Sequence, residues 1–256
     1  MFTDSHAHLN DSLLYPEADE VIRRANLAKV TRIICPGYDL ESNKKAIELA
    51  ERYPAVFAAI GFHPENIGPV TDADYEWLKE HCHHEKVVAI GEIGLDYYWD
   101  KSLMEKQKDA FIRQIGIAGD NNLPMIIHMR DATADTLNIL MKHKKQSAGG
   151  VMHCYSGSVE SAKDFIGLNM FISLGGPVTF KNAKAAKEVA AIIPLEYLLI
   201  ETDSPYLAPT PYRGKTNEPA YVVRVAEEIA GIRNMPTETI GLITSKNAEK
   251  LFAIAG

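Results

Sequence analysis

The sequence predicts an α/β protein with the architecture of a (β/α)8 TIM barrel and an extra C-terminal helix. Short apolar runs recur at fairly even intervals along the 256 residues, and helical patterns alternate with them. Strands that are buried on both faces, as in parallel sheets, form such near-continuous apolar runs. A length of about 250 residues is typical of eight strand–helix units. A doubly wound open sheet is the alternative, since the pattern alone does not exclude it.

Eight brief apolar segments, many of them β-branched, are predicted as the strands. In chain order they are Met1–Ser5, Arg32–Cys35, Val56–Gly61, Val87–Gly91, Met125–His128, Gly150–His153, Met170–Leu174 and Tyr197–Glu201. Six of them end at a histidine or a carboxylate or reach one within two residues. The strands therefore predict where a functional site lies as well as the fold.

The segments between and after these strands are predicted as helices. They are Glu17–Lys29, Glu41–Arg52, Asp72–His83, Leu103–Asn121, Ala132–Lys144, Ser158–Leu168, Ala183–Ile192, Ala220–Ile232 and, last, Thr237–Ala253. In the fourth helix, Phe111, Ile115 and Ala118 recur at helical spacing, and Lys108 interrupts the stripe. Thr71 and Ser102 precede helices as N-cap residues do. The strict alternation of strand and helix indicates a parallel sheet with helical crossovers.

Composition indicates one domain over residues 1–256, located in the cytoplasm. No apolar stretch reaches the roughly 18 residues of a membrane helix, and the N-terminus shows no secretory signal pattern. The three cysteines form no CxxC pair, which suits a reducing compartment, and Cys154 is expected to point into the core. The net charge of −7 argues against a broad basic face for nucleic acid. A polyanionic substrate would therefore need local cations, and bound metals can supply them.

The most informative motif is His6-Ala7-His8, directly after the first strand. Positions two apart in a strand point the same way, so the two imidazoles are expected about 6 to 7 Å apart on one face. From there they could bind one divalent ion together. A pair of ordinary surface histidines is the alternative, because such short pairs arise by chance.

Further metal-binding residue types follow the other strands. They are His63, Glu92, His128, His153 and Asp203. The carboxyl ends of barrel strands meet at one rim, so these side chains are expected to converge. Four of them have an ordinary alternative: Glu92 as a loop cap, His128 and His153 as buried histidines bonded to backbone, and Asp203 as an Asx turn. Gly91 and Gly94 favour close backbone packing around a functional turn at Glu92.

This inventory predicts two divalent ions rather than one. Nitrogen and oxygen ligands without a cysteine cluster suit catalytic Zn²⁺, Mn²⁺ or Mg²⁺. The set is too large for one tetrahedral ion with an open position, and Glu92 is the candidate bridge between two ions. Paired ions about 3.5 to 4 Å apart stabilise both the attacking and the leaving oxygen and activate water. The sequence therefore predicts a hydrolase.

Three cationic residues could bind a phosphate group near the same rim. Arg130 lies two residues after His128, and Arg213 lies in the loop after the eighth strand. Guanidinium groups match phosphate oxygens bidentately. Lys181 precedes a predicted helix, whose N-terminus favours anions, although routine surface charge explains Lys181 slightly better. Arg130 could also pair with its neighbour Asp131.

Taken together, the motifs resemble the TatD family of metal-dependent deoxyribonucleases, within the amidohydrolase-like barrels. The matching segments run in order over nearly the whole chain. They are Asp4-Ser5-His6-Ala7-His8-Leu9, Gly61-Phe62-His63-Pro64, Gly91-Glu92-Ile93-Gly94-Leu95-Asp96, Ile127-His128-Met129-Arg130-Asp131-Ala132, His153-Cys154-Tyr155-Ser156-Gly157, Glu201-Thr202-Asp203-Ser204-Pro205 and Arg213-Gly214-Lys215-Thr216-Asn217-Glu218-Pro219. Many amidohydrolase relatives use a carbamylated lysine as the bridge, whereas Glu92 stands at that position here.

The resemblance implies a ligand set and roles for individual residues. One ion would be bound by His6, His8 and Asp203 and the other by His128 and His153, with Glu92 shared. His63 would contact the substrate or leaving group, with Glu92, Asp203 and His63 forming the catalytic set. Arg130 stands at a matching position with a support or phosphate role, and the residue chemistry itself adds Arg213 as a second expected phosphate contact.

The implied activity is hydrolysis of DNA phosphodiester bonds by 3′-to-5′ trimming, and the expected ions are Mg²⁺ or Mn²⁺, with Zn²⁺ as a further candidate. The acidic net charge predicts a preference for short or single-stranded ends. Two other hypotheses stay open. The same site could cleave an ester or amide, such as an aminoacyl ester on tRNA or a small cyclic amide. The barrel could also be a metal-bound binding protein without catalysis, which the full ligand set argues against. No protein partner is indicated by the sequence.

Overall fold

A single sheet of eight parallel strands forms the centre of the protein in a computed structural model that describes residues 1–143 and 147–254. The strands are β1 (Phe2–Asp4), β2 (Val30–Pro36), β3 (Val56–Ile60), β4 (Val87–Asp96), β5 (Met125–Arg130), β6 (Gly150–Met152), β7 (Met170–Leu174) and β8 (Leu198–Ile200). Each strand pairs in parallel with the next one along the chain. This order confirms the predicted barrel, and the doubly wound alternative is wrong because its strand order would reverse.

Helices follow the strands and cover the sheet. They are α1 (Ala18–Leu27), α2 (Leu40–Arg52), α3 (Asp72–His81), α4 (Met104–Asp120), α5 (Thr133–His143), α6 (Val159–Gly167), α7 (Lys184–Ile192), α8 (Val222–Arg233) and the extra C-terminal α9 (Thr237–Phe252). The end predicted for the fifth helix, Lys144, lies outside the described residues. None of the helices described has the length and apolar character needed to span a bilayer.

The barrel closes where the segment after β1 meets the segment after β8. The backbone N–H of Ser5 donates to the carbonyl oxygen of Ile200 at 3.1 Å, and that of Asp203 donates to the carbonyl of His6 at 2.9 Å. Two short strands, each three residues long, are thus extended by non-strand backbone. This seam sets His6 beside Asp203, although the two residues lie 197 positions apart in the chain.

Apolar side chains form two buried layers because strand residues alternate between the two faces of the sheet. One layer takes a side chain from each of seven strands, including Ile34, Ile126 and Phe171, and packs against Phe252 at the end of α9. The larger layer takes the alternate strand residues and the inner faces of the helices. The end of α9 therefore fills the barrel beneath the rim that carries the polar strand ends.

Strand β4 is longer than the sequence predicted. The apolar run ends at Gly91, but pairing with β5 resumes past an irregularity between Ile90 and Ile93 and continues to Asp96. Gly94 has φ +138°, and an added Cβ would collide with the backbone carbonyl of His128. Glu92 therefore lies within a strand rather than in a loop after one, so its alternative as a loop cap is wrong.

Candidate metal centre

Seven side chains from the carboxyl ends of the strands meet in one group, here called the histidine–carboxylate cluster. Its members are His6, His8, His63, Glu92, His128, His153 and Asp203. A nitrogen or oxygen of each member lies within 3.6 Å of another member. The structure thus brings together every residue that the sequence indicated as a ligand, together with His63.

One oxygen of Glu92 faces the residues of the barrel seam. Its Oε2 lies 3.4 Å from Nε2 of His6 and 3.5 Å from Nε2 of His8. Asp203 Oδ1 lies 3.6 Å from both of these nitrogens. The side chain of Asp203 therefore points at the two histidines, and a simple Asx turn does not describe it. Two imidazoles and two carboxylate oxygens surround one point on this side of Glu92.

The other oxygen of Glu92 faces a second set of histidines. Its Oε1 lies 2.8 Å from Nε2 of His153, 3.1 Å from Nδ1 of His128 and 3.4 Å from Nε2 of His63. Because the two oxygens of one carboxylate face different histidine sets, Glu92 has the position of a bridge. The described residues that could hold an ion form three groups, two of which correspond to these two sides.

Three cluster histidines have their outer ring nitrogen bonded to an acceptor outside the cluster. The pairs are His8 Nδ1 with the Pro36 carbonyl at 3.3 Å, His128 Nε2 with Asp96 Oδ2 at 2.8 Å, and His153 Nδ1 with Glu201 Oε1 at 3.3 Å. A carbonyl or carboxylate only accepts, so each outer nitrogen carries the proton. In the neutral ring the inner nitrogen then presents a lone pair to Glu92.

Lone pairs that face carboxylate oxygens repel them unless a positive charge lies between. A divalent cation attracts both the lone pair and the carboxylate oxygen. A histidine that ligates a metal usually donates its other ring N–H to a carboxylate or carbonyl oxygen, as these three histidines do. Nitrogen and oxygen donors of this kind suit a catalytic transition metal or a hard divalent ion. The residues present therefore fit a divalent metal.

The electrostatics of the cluster also favour a cation beside Glu92. Burial opposes ionisation of Glu92, but the charges of His153 and His63 outweigh it and hold the pKa of Glu92 well below its ordinary value. Burial likewise opposes the charged form of His153, yet Glu92 and Glu201 raise its pKa well above the ordinary value. Both shifts express one attraction, between a buried carboxylate and positive charge on its neighbours. Metal binding at this site therefore displaces protons.

Two outer carboxylates, Asp96 and Glu201, were not assigned a role from the sequence. Asp96 accepts from His128 as described, and its backbone is fixed by Gln107, which accepts from the Asp96 N–H at 2.9 Å and donates to its carbonyl at 3.0 Å. Glu201 accepts from the Cys154 N–H at 2.8 Å. Both residues stand inside the quoted strand-end motifs, which is the only signal that the sequence carried for them.

We expect Asp96→Asn to weaken metal binding about 10- to 100-fold, the usual cost of losing an outer partner of a ligating histidine. Asp96 Oδ1 already accepts from the Tyr98 N–H at 2.9 Å, while Oδ2 serves His128. An amide has one acceptor oxygen and cannot serve both. Calorimetric titration with Mn²⁺ measures the change, with the exposed Asp109→Asn on α4 as control. Equal affinity in both variants would contradict this role for Asp96.

The three cationic residues considered for phosphate binding lie outside the cluster. Arg130 is exposed at the end of β5, with its guanidinium 3.7 Å from the centre of the Tyr98 ring. Arg213 lies 3.6 Å over the ring of Phe180, and Lys181 is exposed shortly before α7. In the described part of the chain, no ion pair joins Arg130 to Asp131. Both arginines are thus positioned by aromatic rings and keep N–H groups for a ligand.

Cys154 departs from its expected place in the core. It is only partly buried, and its φ of +42° is left-handed. Side-chain alternation applies to extended backbone, so it does not predict the direction of a residue in this conformation.

A closed parallel barrel whose strand ends carry this cluster defines a metal-dependent enzyme of the TIM-barrel class. The sequence model of the family described as TatD related DNase matches residues 3–253. The chain therefore belongs to the TatD family of metal-dependent hydrolases, as its motifs indicated.

Relatives and solved structures agree with this assignment. The chain is 50% identical to the uncharacterised metal-dependent hydrolase YabD of Bacillus subtilis, covering 99% of this chain and 100% of that protein. It is 39% identical to the uncharacterised metal-dependent hydrolase YcfH of Escherichia coli, covering 98% and 95%. The crystal structure of YJJV, a TatD homologue from Escherichia coli, superposes with a TM-score of 0.94 at 32% identity, covering 99% and 98%.

Proposed function

We propose that this hydrolase cleaves phosphodiester bonds of DNA, trimming short or single-stranded ends from the 3′ end, and that residues 1–256 act as one catalytic domain. The observation that carries the proposal is Glu92, whose two oxygens each face a separate histidine set. The family description as DNase supports DNA as the substrate.

The cluster has donors for two divalent ions, for which we propose Mg²⁺ or Mn²⁺, with Zn²⁺ as a further candidate. His6, His8 and Asp203 would hold one ion, while His128 and His153 would hold the other. Glu92 would be shared between them. Such a pair of ions stabilises the charge on attacking and leaving oxygens of a phosphodiester and lowers the pKa of water.

His63 differs from the proposed ligands in its protonation pattern. Its Nδ1 accepts from the backbone N–H of Glu65 at 3.2 Å, so in the neutral ring Nε2 carries the proton. That N–H points towards Glu92 Oε1. A donor in this position suits a hydrogen bond to a substrate or leaving-group oxygen, whereas a metal ligand needs a lone pair. We therefore assign His63 to contact with the substrate. The role of accepting a proton is proposed for Asp203, whose carboxylate lies 3.6 Å from His6 and His8.

Arg130 and Arg213 are proposed to contact the phosphate, since a guanidinium pairs with two phosphate oxygens at once. The net charge of −7 supplies no broad attraction for a long duplex. Attraction of the substrate would then come from the local arginines and bound cations, which contact the phosphates at the end of a DNA strand. Strong retention on a duplex DNA column at physiological salt would contradict this preference.

The test is cleavage of a 5′-labelled single-stranded oligonucleotide by chelated protein before and after addition of Mg²⁺ or Mn²⁺. We expect a metal-restored ladder that shortens from the 3′ end. Absence of cleavage by folded protein with every metal would overturn the DNA assignment and favour an ester or amide substrate. An aminoacyl ester of tRNA and a small cyclic amide are then the next substrates to assay.

Arg213→Ala is expected to lower kcat/KM for the oligonucleotide about 10- to 100-fold, the cost of one charge-assisted hydrogen bond to phosphate. Lys215→Ala removes a cation from the same exposed loop and is the matched control, expected near the parent value. Unchanged turnover in Arg213→Ala would remove this residue from the phosphate site.

A further inference from the structure

We propose that the neighbouring side chains Tyr98 and Trp99, here called the Tyr98–Trp99 pair, form a stacking site for an unpaired DNA base beside the histidine–carboxylate cluster. The inference rests on the proposed function and adds a determinant of substrate choice to it. Trp99 is the residue on which the base stacks, and Tyr98 positions the adjacent Arg130.

The pair is exposed where large aromatic side chains are usually buried. Tyr98 is 52% exposed and Trp99 is 64% exposed. The two ring centres lie 4.8 Å apart with their planes at 89°, so the two rings contact each other edge to face. Proteins that bind single strands use such aromatic faces, because every base can stack on them whatever its sequence.

A single carboxylate connects the pair to the cluster. Asp96 Oδ1 accepts from the backbone N–H groups of Tyr98 at 2.9 Å and Trp99 at 3.4 Å. Its other oxygen lies 2.8 Å from Nε2 of His128, which belongs to the cluster. The backbone of the pair is therefore fixed one carboxylate away from a proposed metal ligand. In this proposal, a base next to a phosphate bound at the cluster stacks on Trp99.

The charge beside the rings suits a nucleotide better than a neutral apolar ligand. The Arg130 guanidinium lies 3.7 Å from the Tyr98 ring centre and 5.3 Å from the Trp99 ring centre. Arg130 thus lies closer to Tyr98 than to Trp99, and the indole of Trp99 is the more exposed of the two rings. A cation next to an aromatic face reproduces the combination of phosphate contact and base stacking in single-strand binding. A base inside a duplex has no free face, so this site selects unpaired ends.

Tryptophan fluorescence tests base stacking without relying on turnover. The chain has two tryptophans, and Trp77→Phe leaves Trp99 as the reporter. Metal-loaded Trp77→Phe protein is titrated with a phosphorothioate oligonucleotide and with one whose 3′-terminal nucleotides are abasic. Saturable quenching by the base-bearing strand alone is the expected result. Equal quenching by both strands, or quenching by neither, would overturn the site.

Cleavage kinetics give the second test. We expect Trp99→Ala to lower kcat/KM for the base-bearing oligonucleotide roughly 10- to 100-fold, mainly through KM, from the known contribution of base–aromatic stacking. On the abasic strand the difference from the parent should shrink to within about twofold, and Trp99→Phe should restore most of the loss. The matched control is Trp77→Phe, because Trp77 lies partly buried on α3, where its ring stacks on His81.

The two proposals fail in different ways. An equal loss in Trp99→Ala on both strands, or no loss on either, would overturn the stacking site while DNA cleavage by the parent stands. If the parent cleaves no DNA, the proposed function falls, and the fluorescence titration still decides whether Trp99 stacks on a base.

Discussion

Glu92→Gln is expected to lower kcat/KM by about 10³-fold or more, since a catalytic metal contributes several kcal/mol to transition-state stabilisation and each 1.4 kcal/mol is tenfold in rate. The substitution keeps the shape of the side chain but removes its charge and one of its two acceptor oxygens. Those oxygens face different histidine sets, 2.8 Å from His153 on one side and 3.4 Å from His6 on the other. Both proposed ion sites therefore weaken together.

Thermal stability in the presence of metal provides a readout independent of activity. A ligand at a hundred times its Kd stabilises a folded protein by about 2.7 kcal/mol, which for a chain of this size raises Tm by roughly 5 to 10 °C. We expect this rise in the parent and its loss in Glu92→Gln. Glu105→Gln, on the exposed face of α4, serves as the charge-matched control. A full metal-dependent rise in Glu92→Gln would show that Glu92 is not the shared ligand.

The fold and the membership of the cluster could be predicted from the sequence because both depend on strand periodicity. Apolar runs locate the strands, and parallel strands of a barrel end at one rim. Strand periodicity alone therefore predicts that His128 and Asp203 lie at the same rim, and no side-chain contact has to be known. The seam between β1 and β8 is less visible, because both strands are only three residues long and their pairing continues through irregular backbone.

The partners around the cluster could not be predicted, because they depend on side chains from distant segments. Nothing local shows that Asp96 accepts from His128, 32 positions away, or that Gln107 fixes the backbone of Asp96. The position of Arg130 could not be predicted either, because Arg130 ends β5 and packs on the ring of Tyr98 in the loop after β4. Periodicity tells which face a residue occupies, whereas these contacts determine which ring nitrogen carries a proton.

That distinction separates His63 from the other histidines at the rim. His128 and His63 both follow strand ends and both lie beside Glu92 Oε1. His128 donates outward to a carboxylate, while His63 accepts from a backbone N–H. One therefore presents a lone pair to the site and the other an N–H group. The sequence places them alike, and only their outer partners assign them different chemistry.

Asp203→Asn is expected to lower kcat by about 10²- to 10⁴-fold, the range that a general acid or base contributes. Burial opposes ionisation of Asp203, but a hydrogen bond from His8 and the charges of His153 and His6 outweigh it, so its pKa lies below the ordinary value. The carboxylate is therefore ionised at neutral pH and can accept a proton. An amide cannot, although the backbone bond from Asp203 N–H to the His6 carbonyl is unchanged by the substitution.

Metal stoichiometry separates a binding role of Asp203 from a proton-transfer role alone. The side chain lies 3.6 Å from His6 and His8, whereas His153 contacts the other oxygen of Glu92, Oε1, at 2.8 Å, so only one proposed ion loses a ligand. We expect two Mn²⁺ per chain in the parent and close to one in Asp203→Asn by elemental analysis. The control is Asp131→Asn. Asp131 is exposed, and its left-handed backbone (φ +54°) matches that of Asp203 (φ +55°), so the same substitution is made in the same backbone conformation. Two ions and parental turnover in Asp203→Asn would exclude Asp203 from both roles, while two ions with lost turnover would leave it the proton-accepting role alone.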